Sequence, residues 1–230
     1  VTAPDAVSVS TNDGCTATEV SLGSATTSYN CSEVNISNDA PSAFEIGETT
    51  VTWTVIDASG NASSATQTVT LTDVTNPIIT APDAVSVSTN DGCTATEVSL
   101  GSATTNDNCS VASVSNDAPS AFEIGETTVT WTVIDASGNA SSATQTVTLT
   151  DVTNPIITAP DAVSVSTNDG CTATEVSLGS ATTNDNCSVA SVSNDAPSAF
   201  EIGENTVTWT VTDESGNTST DTQQVIVIDE

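Results

Sequence analysis

The sequence predicts an all-β protein of three tandem Greek-key β-sandwich domains, and three observations carry that reading. A 78-residue offset superposes the chain on itself, so that Asp73 to Glu126 recurs without change as Asp151 to Glu204. Apolar residues alternate with threonine at period two through much of each repeat, as strands with one buried face require. Six cysteines fall as three equally spaced pairs: Cys15 with Cys31, Cys93 with Cys109, and Cys171 with Cys187.

The repeat sets the domains. Val1 is in register with Ile79 and Ile157, which divides the 230 residues into units 1–74, 75–152 and 153–230. A period of this length exceeds the ~20 to 50 residues of solenoid coils, which cannot bury a core alone, so each unit is expected to fold by itself. Within a unit, Ala84 to Ser88 opens as a strand, followed by a turn at Thr89-Asn90-Asp91-Gly92 and a second strand from Ala95 to Leu100. The clearest strand is Thr128 to Val133, which turns Val129, Trp131 and Val133 inward and its threonines to water. The turn Asp135-Ala136-Ser137-Gly138-Asn139 and the alternating run Thr146 to Thr150 complete a hairpin. Six or seven such strands in each repeat suit a sandwich. One Trp and one Phe per repeat make a thin core, so a covalent staple is expected.

Composition bounds what the chain can do. It has 30 Asp and Glu, no Lys, Arg or His, and a formal net charge of −30. Such a polyanion repels nucleic acid and acidic lipid and attracts cations. Disorder is excluded by the regular alternation of the 36% apolar residues. An even number of cysteines at a repeated spacing, without His or CxxC pairs to make a zinc site, points to disulfides and an oxidising compartment. A disulfide closing a loop of ~15 residues contributes about 3 kcal/mol in the chain-entropy model. No apolar run reaches the ~18 to 20 residues of a membrane span, and no leader segment is evident, so the sequence reads as a mature or internal portion.

Within each repeat the ordered motifs Asp91-Gly92-Cys93, Asp107-Asn108-Cys109, Phe122-Glu123-Ile124-Gly125, Thr127 to Trp131 and Asp135 to Asn139 resemble the hyalin repeat, or HYR domain. The resemblance covers essentially the whole chain. It implies an immunoglobulin-like sandwich of the kind found in cell-surface proteins and in long bacterial surface adhesins. Many members similar to this chain carry a second cysteine pair joining the first and last strands. Here those positions fall at Thr80 or Ala81 and at Ser141 or Ser142, so that staple is absent.

An enzyme is not expected. Without His or Lys the usual bases for a Ser or Cys nucleophile are missing, and a carboxylate pair of glycosidase type lacks any sign of a cleft. The absence of Lys also removes Lys-to-Asn isopeptide crosslinks as a source of strength.

Calcium is the expected cofactor, because hard divalent cations take oxygen ligands from Asp, Asn and carbonyl groups. The linker Asp73-Val74-Thr75-Asn76-Pro77, the segment Asn106-Asp107-Asn108 and the turn from Asp135 to Asn139 are all rich in oxygen. In an immunoglobulin-like sandwich they converge at the end where the chain enters. The candidate ligands are Asp73, Asn76, Asp107, Asp135 and Asn139 at one junction, and Asp151, Asn154, Asp185, Asp213 and Asn217 at the next. The alternative is plain turn chemistry, since Asp, Asn and Gly also serve tight turns. The first repeat reads Ser28-Tyr29-Asn30 where the second has an Asp at 107, so a site at its entrance is expected to be weaker or missing.

The last strand, Gln224 to Ile228, carries Ile226 and Ile228 where the second repeat has Thr148 and Thr150. These two isoleucines are candidates for an assembly contact. Thr-x-Thr strands also suit ice-binding faces, although Thr is an ordinary choice at exposed strand positions. The sequons Asn61-Ala62-Ser63 and Asn139-Ala140-Ser141 would accept glycans in a eukaryotic secretory path, and the second overlaps the proposed metal turn. The expected function is an extracellular, bacterial structural array: a calcium-stiffened stalk or fibre whose partners are neighbouring copies of the same repeat, in a homopolymer or filament. The alternative is an adhesin segment binding glycan or a surface protein.

Overall fold

The computed structural model describes residues 1–11, 14–28, 34–89, 92–168 and 170–229. The expected turn at Thr89 to Gly92 lies partly outside these residues, as do Tyr29, Asn30 and Cys31.

The chain is all-β, with one sheet pattern repeated three times. The first repeat contributes β1 (Val7–Thr11), β2 (Thr16–Ala17), β3 (Val34–Asn38), β4 (Phe44–Glu45), β5 (Gly47–Asp57) and β6 (Ala62–Asp73). The middle repeat contributes β7 (Ile78–Thr80), β8 (Val85–Thr89), β9 (Thr94–Ala95), β10 (Thr104–Asn106), β11 (Val111–Asn116), β12 (Phe122–Glu123), β13 (Gly125–Asp135) and β14 (Ala140–Asp151). The third contributes β15 (Ile156–Thr158), β16 (Val163–Ser166), β17 (Thr172–Thr174), β18 (Thr182–Asn184), β19 (Val189–Asn194), β20 (Ala199–Glu201), β21 (Gly203–Asp213) and β22 (Thr218–Ile228).

Each repeat builds a four-stranded sheet in which a long hairpin is flanked on both sides: β1-β6-β5-β3, β8-β14-β13-β11 and β16-β22-β21-β19. The opening strand of each sheet runs parallel to the closing one, with Val7 opposite Val69, Val85 opposite Val147 and Val163 opposite Val225. Such a parallel pairing cannot come from a hairpin, so the chain must cross over the core between the two strands. The crossover forms short antiparallel pairs, β2-β4, β9-β12 and β17-β20, with β7-β10 and β15-β18 in the later repeats. In the first repeat a single bridge, Thr2 to Thr26, stands where those last pairs occur. These are tandem immunoglobulin-like sandwiches.

Contacts divide the chain into two compact units. One comprises Val1–Pro82, Gly101–Asp117 and Val129–Gln145; the other comprises Asp83–Leu100, Ala118–Thr128 and Thr146–Glu230. The first unit holds a core of Phe44, Val51, Trp53, Val69 and Leu71. The second holds a core of Phe200, Val207, Trp209, Val211, Val225 and Val227. The inward set expected for the middle repeat, Val129, Trp131 and Val133, is buried, because period-two alternation leaves no other face for it.

Each Trp is anchored by a buried glutamine that the sequence reading overlooked. Trp53 Nε1 donates to Gln67 Oε1 at 3.0 Å, and Gln67 Nε2 donates to the carbonyls of Asp5 and Leu22 at 2.7 and 2.9 Å. Trp209 and Gln223 repeat the arrangement with the carbonyls of Asp161 and Leu178. The glutamine thus satisfies the indole, a carbonyl just before the opening strand and a carbonyl of the crossover, which ties those segments to the long hairpin.

One expected strand is corrected. Residues 95–100 do not form a continuous strand: only Thr94–Ala95 pairs, and Glu97 takes a φ of 57°. A left-handed residue ends an extended run, and Glu19 and Glu175 do the same in the other repeats.

Candidate metal centres and the cysteines beside them

The long hairpin and the crossover deliver three acids to one place in each unit. Asp73 ends β6, Asp107 follows β10 and Asp135 ends β13; one carboxylate oxygen from each lies within 4.8 Å of the others. Asp151 at the end of β14, Asp185 after β18 and Asp213 at the end of β21 form the same cluster in the second unit. Four of these acids are buried, with Asp135 and Asp213 each only 2% exposed.

Local hydrogen bonds fix each carboxylate while leaving oxygen atoms over. Asp73 Oδ1 accepts from Thr11 Oγ1 at 2.9 Å, from the Thr75 amide at 3.0 Å and from Asn108 Nδ2 at 3.3 Å. Its Oδ2 is buried with no hydrogen-bond partner. Asp107 Oδ2 accepts from the Cys109 amide at 3.0 Å, and its Oδ1 is likewise orphaned. Asn108 donates through Nδ2 and leaves Oδ1 orphaned. Asp151 Oδ2, Asp185 Oδ1 and Asn186 Oδ1 repeat the three orphans in the second unit. A buried acceptor without a donor costs on the order of 1–3 kcal/mol. The chain has no Lys, Arg or His to supply one.

Asp135 is gripped by its own turn. The amides of Ser137 and Asn139 donate to Oδ1 and Asn139 Nδ2 donates to Oδ2, all at 2.8 Å. Burial pushes the Asp135 pKa up, but these bonds outweigh it and hold the group below the ordinary 3.8. The Thr75 amide leads the effects that hold Asp73 below the same value, and the Thr153 amide does so for Asp151. All three are carboxylates at neutral pH.

The sequence candidates divide accordingly. The structure brings Asp73, Asp107 and Asp135 together, and Asp151, Asp185 and Asp213 together. Asn139 and Asn217 stand at the clusters as donors: Asn139 Nδ2 also reaches the Asp73 carbonyl at 3.1 Å, and Asn217 Nδ2 reaches the Asp151 carbonyl at 3.2 Å. They orient the acids through nitrogen. That nitrogen is the atom a glycan would take, and since a glycosylated amide keeps only one N–H, glycan attachment at Asn139 would cost at least one of these two bonds. Asn76 and Asn154 are exposed in the linkers. Asn108 and Asn186, absent from the expected ligand set, carry orphaned oxygens beside the acids. Six carboxylate or amide oxygens lacking donors, in two equivalent places, fit a hard divalent cation. Both Asp clusters could coordinate a metal ion.

All five described cysteines are free thiols, and Cys31 lies outside the described residues. The sulfur neighbour of Cys109 is Cys15, and that of Cys187 is Cys93. Cys171 leads into β17, which pairs with β20, whereas Cys187 follows β18, which pairs with β15. Burial, then the neighbouring thiol Cys15, pushes the Cys109 thiol up to about 12; Cys187 is raised likewise by burial and Cys93.

Ile226 and Ile228 are 37% and 50% exposed, opposite Ser164 and Ser166 on the parallel neighbour. Among the described residues no helix is long and apolar enough to cross a membrane.

The profile of the HYR domain matches residues 72–149 and again 150–227. Hyalin of Strongylocentrotus purpuratus is 34% identical over 109 residues, which cover 44% of this chain and 9% of that protein. Hyalin of Lytechinus variegatus is 32% identical over 109 residues, covering 44% and 20%. The chain thus spans a fifth or less of the length of these curated relatives. Among solved structures, mouse cadherin-23 EC22-24 shares 15% identity at a TM-score of 0.39, covering 100% of this chain and 97% of that one. Drosophila N-cadherin EC1-3 shares 10% at 0.38, covering 99% and 98%. Both hyalins are echinoderm proteins, so the bacterial placement attached to the resemblance is withdrawn. The two profile matches account for more than half of the residues and begin 78 positions apart, and the chain belongs to the HYR domain family.

Proposed function

We propose that this chain is a segment of an extracellular, adhesion-type array of HYR repeats, 1–74, 75–152 and 153–230, with a calcium ion held at each of its two Asp clusters. The array is not an enzyme: it has no His or Lys to serve as a base. One observation carries the calcium reading. Buried carboxylates with orphaned oxygens meet in threes in a chain that has no cationic side chain, so the balancing charge must come from solution. Asp73, Asp107 and Asp135 form one ligand set and Asp151, Asp185 and Asp213 the other, with Asn108 and Asn186 as added oxygen donors. Repeated cysteines and a polyanionic surface support an oxidising, calcium-rich milieu. Binding to glycan or protein partners, or to other copies, belongs to the repeat surfaces, and several copies favour it through avidity.

The test is calorimetric titration of calcium into the whole chain, with thermal unfolding in calcium and in excess chelator. Two binding sites are expected. At about 100 times the dissociation constant, each stabilises its unit by about 2.7 kcal/mol. Asp107→Asn is expected to remove one site and Asp185→Asn the other, each leaving its partner intact. Absence of calcium heat together with an unchanged Tm refutes the reading.

A second reading is a purely structural stalk or fibre. It is favoured by the identity of residues 73–126 and 151–204, since length needs copies whereas one binding face does not. Electron microscopy separates the two: filaments of purified protein support the stalk, and binding of dispersed chains to defined glycans or proteins supports the adhesive array.

A further inference from the structure

The loop between β1 and β2 carries Cys15, and it docks on Asn108, which precedes Cys109 in the following repeat. Asn108 Nδ2 donates to the Gly14 carbonyl at 3.4 Å and to Cys109 Sγ at 3.3 Å, while Cys15 Sγ donates to the Asn108 carbonyl at 3.5 Å. The Cys15 thiol is also the sulfur neighbour of Cys109. The second unit reproduces every contact. Asn186 Nδ2 reaches the Gly92 carbonyl at 3.5 Å and Cys187 Sγ at 3.4 Å, Cys93 Sγ reaches the Asn186 carbonyl at 3.7 Å, and the Cys93 thiol is again the sulfur neighbour of Cys187.

A single asparagine therefore brackets two sulfurs from different repeats, and it does so twice with the same atoms. In both cases the cysteines are 94 positions apart, not the 16 that separate the two cysteines of one repeat. We propose that Cys15 and Cys109, and Cys93 and Cys187, are disulfide partners, so that each repeat is covalently clasped to the next.

Chemistry and geometry agree. Disulfide formation requires α-carbons within about 7 Å, and the shared contacts with one asparagine hold the two sulfurs as neighbours from which that geometry can be reached. The oxidant is a small-molecule or protein disulfide of the extracellular or secretory milieu. The Cys15 thiol displaces one half of that disulfide as a thiol and forms a mixed disulfide; Cys109 then attacks the Cys15 sulfur and releases the second half as a thiol. The two cysteine sulfurs lose two electrons and two protons, and the oxidant gains both.

A cysteine has one disulfide partner, so this pairing excludes the equally spaced pairing within a repeat. It makes the seam between repeats the stapled element, and leaves Cys171, exposed in the corresponding loop of the third repeat, as a thiol facing outward.

The test is peptide mapping of the whole chain after equilibration with glutathione disulfide. Trypsin has no sites, but cleavage after glutamate at Glu19, Glu48, Glu97, Glu123, Glu126, Glu175 and Glu201 isolates the cysteines on separate peptides of distinct mass. Peptide 1–19 is expected linked to 98–123, and 49–97 linked to 176–201. A link between 49–97 and 98–123, or between 127–175 and 176–201, overturns the proposal. So does recovery of all cysteines as alkylatable thiols.

Discussion

Asp221 shows how far one acid in this chain departs from its equivalents. It stands where the second repeat has Ala143, and its carboxylate accepts the Ala159 amide at 2.7 Å and the Thr222 amide at 2.8 Å. The Ala159 amide leads the effects that hold it below the ordinary 3.8. A folded pKa below the unfolded one means that the unfolded chain binds more protons in between, so stability is lost as pH falls through the folded value and is fully present above about 3.8. The Tm advantage of the parent over Asp221→Asn is therefore expected to be constant from pH 7 to about 5, and to shrink below about 4. Thermal scans of both proteins across that range check it, and a difference independent of pH would refute it. The acids that meet in the two Asp clusters stood among the sequence candidates because they lie in oxygen-rich turns and linkers of a chain with no cationic side chain. The roles of the asparagines were not. An amide offers oxygen or nitrogen with equal ease, and only packing shows that Asn139 presents nitrogen while Asn108 leaves its oxygen bare.

At the scale of the strand and hairpin, alternation exposed the long strands and concealed a polar residue inside them. Gln223 shares the inward register of Val225 and Val227 and is buried with them, a parity the sequence reading did not use. Replacing it with Leu keeps the bulk but strands the Trp209 indole and the carbonyls of Asp161 and Leu178. We expect Gln223→Leu to cost about 2–4 kcal/mol, since unsatisfied buried groups cost roughly 1–3 kcal/mol each. That lowers the Tm of the repeat by about 10 °C or more. A Tm within about 2 °C of the parent would show that the glutamine is dispensable. On the other side of the same strand, Ile226 and Ile228 alternate with the core residues and stay partly exposed. The double variant Ile226→Thr, Ile228→Thr is expected to keep its Tm within a few degrees, as surface changes usually shift stability by only about 0.5 kcal/mol. It is also expected to weaken self-association in sedimentation velocity. Unchanged self-association removes the proposed contact. The segment at 95–100 was misread because nothing in its composition marks Glu97 for a positive φ; the crossover between layers imposes it.

For the molecule as a chain of repeats, the period was legible and the bonds across it were not. Three equal spacings between cysteines offer the same pattern for pairing within a repeat or between repeats, and only the docking of one loop on the next repeat distinguishes them. That docking places the clasp against the Asp cluster, because Asn108 contacts Gly14, Cys109 and Asp73 at once. Bringing Asp73 from the end of one repeat to Asp107 and Asp135 of the next costs conformational entropy. A disulfide between Cys15 and Cys109 would meet part of that cost before any ion binds. The two restraints should therefore reinforce each other, and linkage makes the reinforcement reciprocal. Calcium is expected to bind the oxidised chain about five-fold or more tightly than the reduced chain, a coupling near 1 kcal/mol. In calcium, the clasp should correspondingly become harder to reduce. Titration of calcium into disulfide-mapped and fully reduced, thiol-blocked chains measures the first effect, and redox titration with and without chelator measures the second. Equal affinities and equal reduction potentials would mean that the clasp and the Asp cluster share residues without sharing energy, and that each seam is held by two independent bonds.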